Sequence, residues 1–153
     1  MEEIKKSGRY QRIFKQLEAL LMKTEDPVAR MATACAVLHH KMTYYFWTGF
    51  YLLKDDKLIV GPYQGPVACL ELEKNKGVCW ATIRSEMPLI VKNVHDFPGH
   101  IACDSRSKSE ITVPLFNQIG KIEGVFDVDS DQLNSFSNAD RDELQRIMEL
   151  IYR

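Results

Sequence analysis

Apolar residues recur at helical spacing at both ends of the chain and at strand-like spacing through its middle. Ile13, Leu17, Leu20 and Leu21 fall on one helical stripe, so the pattern predicts an amphipathic helix over roughly 8–23. Asp26-Pro27 is a helix start, with the proline in the first turn where its missing N–H costs nothing. The run VARMATACAVLHHKM then makes a second helix, expected to turn Val28, Met31, Ala32, Cys35 and Leu38 inward. His39 and His40 at its end are read as partners of the helix dipole.

The period then changes. Residues 45–53, YFWTGFYLL, are aromatic-rich and read as a strand; Lys54-Asp55-Asp56-Lys57 is a turn, and LIVGPYQG is its hairpin partner. VACLEL at 67–72 is a short strand, GVCWATIRS a short helix after Gly77, and PLIV another short strand. Residues 93–109 have no clean period, and loops of that length in compact domains are usually functional. EITVPLF and KIEGVFDVDS are two strands joined by Asn117-Gln118-Ile119-Gly120. Ser137 caps a last helix of about 138–151, with Asp140 placed as the acid of a capping box. This order predicts an α+β fold with a largely antiparallel sheet and helices on one face.

At 153 residues, one domain spanning 1–153 is the expectation. Net charge is -1, with 20 basic and 21 acidic residues interspersed, so the basic stripe that nucleic acid demands is missing. No apolar run reaches the length of a membrane span. MEEIKKSGRYQRIF is charged and lacks the apolar stretch of an export signal, which predicts a cytoplasmic protein. Small-molecule chemistry is the class these numbers leave.

Cysteine placement narrows it. Cytosolic thiols are kept reduced, so Cys69, Cys79 and Cys103, in short polar or turn-rich settings, point to redox chemistry or metal binding. Cys35, among small and apolar helical neighbours, reads as a packing residue. His100, Arg106 and Lys108 flank Cys103 and could lower its pKa.

Carboxylates form a second constellation. Strand alternation puts Asp127 and Asp129 on one face and Phe126 and Val128 on the other. If the last two strands pair as a hairpin, Glu110 lies across from both acids. A solvated strand face is the plain alternative. Three acids beside a cysteine loop favour a pocket that grips an ammonium group and holds one proton at a raised pKa. Trp47 and Tyr51 share a face of 45–53 and could wall that pocket around a thioether, ordinary aromatic core being the competing reading.

The segments WTGFYLL, GPYQGPVACLEL, GVCWATI, NVHDFPGHIACDSRSKSEITVPL and GVFDVDS together resemble the GAF-domain free methionine-(R)-sulfoxide reductases over about residues 10–150. The chain differs from that pattern at Trp80, where a small residue usually follows the cysteine, and at Phe126, where an aliphatic is commoner. The resemblance implies a GAF-like fold with a six-stranded antiparallel sheet, a homodimer, and reduction of free L-methionine (R)-sulfoxide. It implies Cys103 as nucleophile, Cys69 as the resolving thiol and Cys79 as a second resolving or relay thiol. Substrate would be held by Trp47, Tyr51, Glu110, Asp127 and Asp129. Thioredoxin would supply the electrons, and no cofactor or metal is called for.

Two other classes compete. A GAF module can bind a small molecule as a sensor without turning it over. A zinc site could be drawn from His95, His100, Cys103 and Cys69 or Cys79, although His-x4-His-x2-Cys is not a standard zinc spacing.

Overall fold

A computed structural model describes residues 1–100 and 103–153; Ile101 and Ala102, within HIACDS, lie outside the described residues. Helix α1 (Glu3–Leu21) and helix α2 (Pro27–Lys41) precede strands β1 (Trp47–Lys54), β2 (Lys57–Gln64) and β3 (Glu71–Leu72). Helix α3 (Gly77–Ser85), strand β4 (Leu89–Val91) and a single 3-10 turn (Val94–Asp96) follow. Strands β5 (Ser109–Phe116) and β6 (Ile122–Ser130) and helix α4 (Asn138–Met148) complete the chain. The six strands make one sheet in the order β3-β2-β1-β6-β5-β4, with every neighbouring pair antiparallel.

Local signals set the joints. Asp26 caps α2 by accepting from the Ala29 N–H at 3.0 Å, ahead of Pro27. Asp55 and Asp56 both take positive φ, 49° and 62°, the combination a tight two-residue hairpin between right-twisted strands requires. Ser137 and Asp140 form the capping box expected of α4.

Three helices, α1, α2 and α4, cover one face of the sheet. Their Tyr10, Ile13, Leu17, Met31, Leu38, Leu144 and Ile147 pack with Phe50, Ile111, Val113, Phe126 and Val128. The short helix α3 lies on the opposite face, where Cys79 and Trp80 pack with Trp47, Tyr51 and Val125. The expected inward stripe of α2 needs correction: Val28 and Ala32 are exposed, whereas Ala34 and Arg30 are buried. Helix α1 starts earlier than its apolar stripe suggests, and β3 covers only the end of 67–72. His39 is half-buried with Nδ1 2.9 Å from Thr48 Oγ1, and burial lowers its pKa, so it lies less charged than a dipole partner would be.

A polar cluster is buried where α1 meets α4. Asp140 accepts from Lys6 Nζ at 2.6 Å, from Tyr10 Oη at 2.6 Å and from the Tyr44 hydroxyl, while its other task is the cap of α4. A carboxylate out of water needs this many donors to remain there. Arg30 plays a matching part by donating to the carbonyls of Leu21, Thr24 and Arg153 at 3.0, 2.8 and 2.6 Å, which fastens the end of α1 to the C-terminal residues.

Candidate active site

The face of the sheet under α3 carries the acids. β6 alternates, sending Phe126 and Val128 into the main core and Val125, Asp127 and Asp129 to the other side. Glu110 pairs across from Asp129, and Thr112 across from Asp127, so Glu110 sits diagonally from Asp127. Glu110 is 6 % exposed and Asp127 5 %, whereas Asp129 is half-buried. A solvated strand face is thereby ruled out.

Antiparallel pairing of β1 with β6 sets Trp47 opposite Asp129 and Tyr51 opposite Val125. The Trp47 ring stacks on Tyr51 with centroids 5.8 Å apart and on Tyr63 at 5.3 Å. Gly49 makes this possible, because a Cβ there would lie 2.4 Å from the Tyr63 Cβ and 2.7 Å from the Trp47 ring. Together with Val67, Ala68, His100, Cys103 and Ser107, the Trp47 and Tyr51 rings and the three acids line a partly open cleft.

Cys69 and Cys103 meet at this cleft, joined by a disulfide with Cα atoms 5.5 Å apart. Cys69 is half-buried and Cys103 exposed. Cys79 departs from the expectation of an accessible thiol. It lies in the first turn of α3, 4 % exposed, with its sulfur facing Asp127. Cys35 is buried in the core as a packing residue.

Burial sets the electrostatics. Desolvation raises the carboxyl of Glu110 well above its usual range, with repulsion from Asp127 and Asp129 adding to it. Asp127 is pushed up to about 6 by burial, opposed by the proton-bearing Glu110 and Cys79 groups that face it. Neither reaches Oδ1, which has no hydrogen-bond partner. Asp129 is raised by desolvation and then by Asp127. Burial, followed by Asp127, pushes the Cys79 thiol up, so it stays protonated. Desolvation and mutual repulsion thus favour the protonated forms of these acids, and Asp127 Oδ1 is buried without a hydrogen-bond partner.

The flanking cations are placed differently from expectation. Arg106 is committed to Asp104 through a bond of 2.7 Å and holds that carboxyl near 2. Burial and His95 lower the pKa of His100, which lines the cleft, and Lys108 is exposed. The zinc candidates among the described residues are placed otherwise: Cys69 and Cys103 are bonded to each other, and the His95 and His100 rings stand edge to face at 6.4 Å. Among the described residues, Cys79, Glu110 and Asp127 are a group whose ligand-type atoms fall within 4.8 Å of one another. Sequence reasoning does not bring Tyr63 to this wall: it lies three residues from Val60, and only a register shift in the β1–β2 pairing puts both on this side, which strict alternation could not reveal. Among the described residues, no helix is long and apolar enough to cross a membrane.

The GAF domain family matches residues 25–152, the part of the chain that carries this six-stranded antiparallel sheet and its cleft beneath a short helix. The chain is 44% identical over 147 residues to "GAF domain-containing protein A" of Dictyostelium discoideum, covering 95% of this chain and 92% of that protein. It is 36% identical to the free methionine-R-sulfoxide reductase of Escherichia coli, covering 94% of this chain and 86% of the relative. The structure of free methionine-R-sulfoxide reductase from Neisseria meningitidis in complex with its substrate superposes with a TM-score of 0.91 at 36% identity, over 96% of this chain and 88% of that one. The chain belongs to the GAF-domain family of free methionine-R-sulfoxide reductases, a group of oxidoreductases.

Proposed function

We propose that this protein reduces free L-methionine (R)-sulfoxide to L-methionine. The observation that carries the reading is the pair of buried acids, Glu110 and Asp127, with half-buried Asp129 beside an aromatic wall, opening onto the Cys69–Cys103 pair. An α-ammonium group entering the cleft offers donors to the unpartnered Asp127 Oδ1 and to Asp129, neutralising charge that burial makes costly. Trp47 and Tyr51 receive the thioether methyl.

With the substrate seated, the Cys103 thiolate attacks the sulfoxide sulfur. The oxygen takes a proton from Glu110, whose raised pKa keeps one available near neutrality. The hydroxyl passes from the substrate sulfur to the Cys103 sulfur as the substrate S–O bond and the transient S–S link break, so methionine departs with the electron pair and Cys103 is left as a sulfenic acid. The Cys69 sulfur then attacks that sulfur, releasing water and closing the Cys69–Cys103 disulfide. A dithiol reductant, thioredoxin in our reading, reopens the bridge by exchange. Cys79 is a relay thiol only if the first turn of α3 opens; in its buried place it is a neutral neighbour of Asp127. We place the enzyme in the cytoplasm as a homodimer, where reduced thiols and a dithiol reductant coexist.

The test is turnover of free methionine (R)-sulfoxide with thioredoxin, thioredoxin reductase and NADPH. Cys103→Ser should lose it while melting like the wild type. N-acetyl-methionine sulfoxide, which has no ammonium charge, should lose about 1.5–3 kcal/mol of binding, roughly ten- to a hundredfold in efficiency. Strong activity of the Cys103 variant, or equal use of the acetylated substrate, would overturn the reading.

A further inference from the structure

The segment that carries Cys69 is held by the wall of the cleft rather than by its own side chains. Between the end of β2 and the start of β3 the chain runs Gly65-Pro66-Val67-Ala68-Cys69-Leu70, and Val67 is 84 % and Leu70 76 % exposed. Apolar side chains left in water contribute little to fixing where a segment lies. Its backbone is instead tied by polar bonds. Trp47 Nε1 donates to the Pro66 carbonyl at 3.1 Å, and Tyr51 Oη donates to the Cys69 carbonyl at 3.0 Å. The Val60 N–H donates to the Leu70 carbonyl at 2.9 Å. At Gly65 the chain turns with φ +115° so close to β1 that a Cβ would lie 2.7 Å from the Phe46 carbonyl oxygen.

Two of these ties come from the rings that wall the cleft, and one ends on the cysteine's own carbonyl. We propose that Tyr51, with Trp47 beside it, is a positioning residue for disulfide closure: its hydroxyl fixes the Cys69 backbone so that the Cys69 sulfur meets the oxidised Cys103. This rests on the reductase reading above and adds a step to it. In that step the Cys69 sulfur bonds to the sulfenic sulfur of Cys103, the S–O bond breaks, and hydroxide leaves with the Cys69 proton as water. Burial raises the Tyr51 phenol pKa, as do Asp127 and then Cys79, so its hydroxyl keeps the proton it donates. Losing this tether should slow closure by more than it slows attack on the substrate.

Tyr51→Phe separates the two, because it keeps the aromatic face and removes only the donor. Reduced protein is mixed with one equivalent of free methionine (R)-sulfoxide and quenched over time. Released methionine, the sulfenic acid captured by a cyclic 1,3-dione and the Cys69–Cys103 disulfide are then measured by mass spectrometry. Whatever the altered wall does to methionine release, disulfide formation should slow roughly three- to tenfold beyond it, so that captured sulfenic acid accumulates per methionine released. Trp47→Phe should shift the same ratio in the same direction, and it carries the comparison if Tyr51→Phe melts abnormally. Equal slowing of release and closure would confine Tyr51 to the substrate wall, and an unchanged ratio in both variants would show the tethers idle; either result overturns the inference. Failure of the wild type to release methionine would strike the reductase reading instead.

Discussion

Replacing Asp127 with asparagine should make the protein more stable and less able to bind its substrate. Burial pushes the Asp127 carboxyl up to about 6, against an ordinary value of 3.8, so the folded state holds its proton more tightly than the unfolded chain does. The sign follows directly. Below the unfolded pKa both states are protonated and nothing is lost; as pH rises from there through about 6, folding forces the unfolded carboxylate either to take up a proton or to be buried charged, and stability falls. A pKa gap of roughly two corresponds to at most about 3 kcal/mol at pH 8, and sharing of protons with Glu110 reduces the part assignable to one residue to about 1–3 kcal/mol. Asparagine has nearly the same shape and cannot ionise. In a domain of this size each kcal/mol moves Tm by about 2–4 °C, so Asp127→Asn should melt roughly 2–12 °C above wild type at pH 8 and near it at pH 4. Calorimetry at the two pH values, paired with KM for free methionine (R)-sulfoxide, is the assay. A variant less stable than wild type at pH 8, or a Tm gap equal at both pH values, would refute the account of the pocket as a set of acids held against their solvation. An unchanged KM would remove Asp127 from ammonium binding.

Other consequences follow from the same geometry. Cys69→Ser should still release about one methionine per site in a single turnover, since attack at sulfur needs only the nucleophile, and should then cycle slowly with thioredoxin; normal cycling, read as NADPH consumption, would move resolution to Cys79. Gly49→Ala drives a methyl into Tyr63 and Trp47 and should cost about 1–3 kcal/mol in urea denaturation, together with a raised KM; an unaltered KM would detach the ring stack from binding. Asp140→Asn leaves Lys6 as a buried cation with a weakened partner and should destabilise by about 3–5 kcal/mol without changing KM, with a loss under about 1 kcal/mol counting against the cluster's role.

Much of the outline could be read along the chain because it depends on neighbours a few residues apart. The helical stripe of Ile13 and Leu17, the Asp26-Pro27 start, the Asp55-Asp56 turn and the Ser137–Asp140 box are each local arrangements, and each occurs in the fold. The alternation of Phe126, Asp127, Val128 and Asp129 likewise dictated which residues share a face, since a strand has a period of two. Alternation does not say which face meets water. Asp127 is buried only because α3 and the 65–70 strap cover that side of the sheet, and only that cover turns three acids into a set of raised pKa values. The same cover buries Cys79, which its turn-rich sequence setting had suggested would be accessible. Val28 and Ala32 lie on an apolar stripe yet face out, because α2 presents Arg30 and Ala34 to its neighbours instead. The ties of Lys6 to Asp140, across 134 residues, and of Tyr51 to the Cys69 carbonyl join groups that no short-range pattern connects. Periodicity reports the chain's local preferences; long-range packing determines which polar groups are taken out of water, and at this site that desolvation supplies the chemistry.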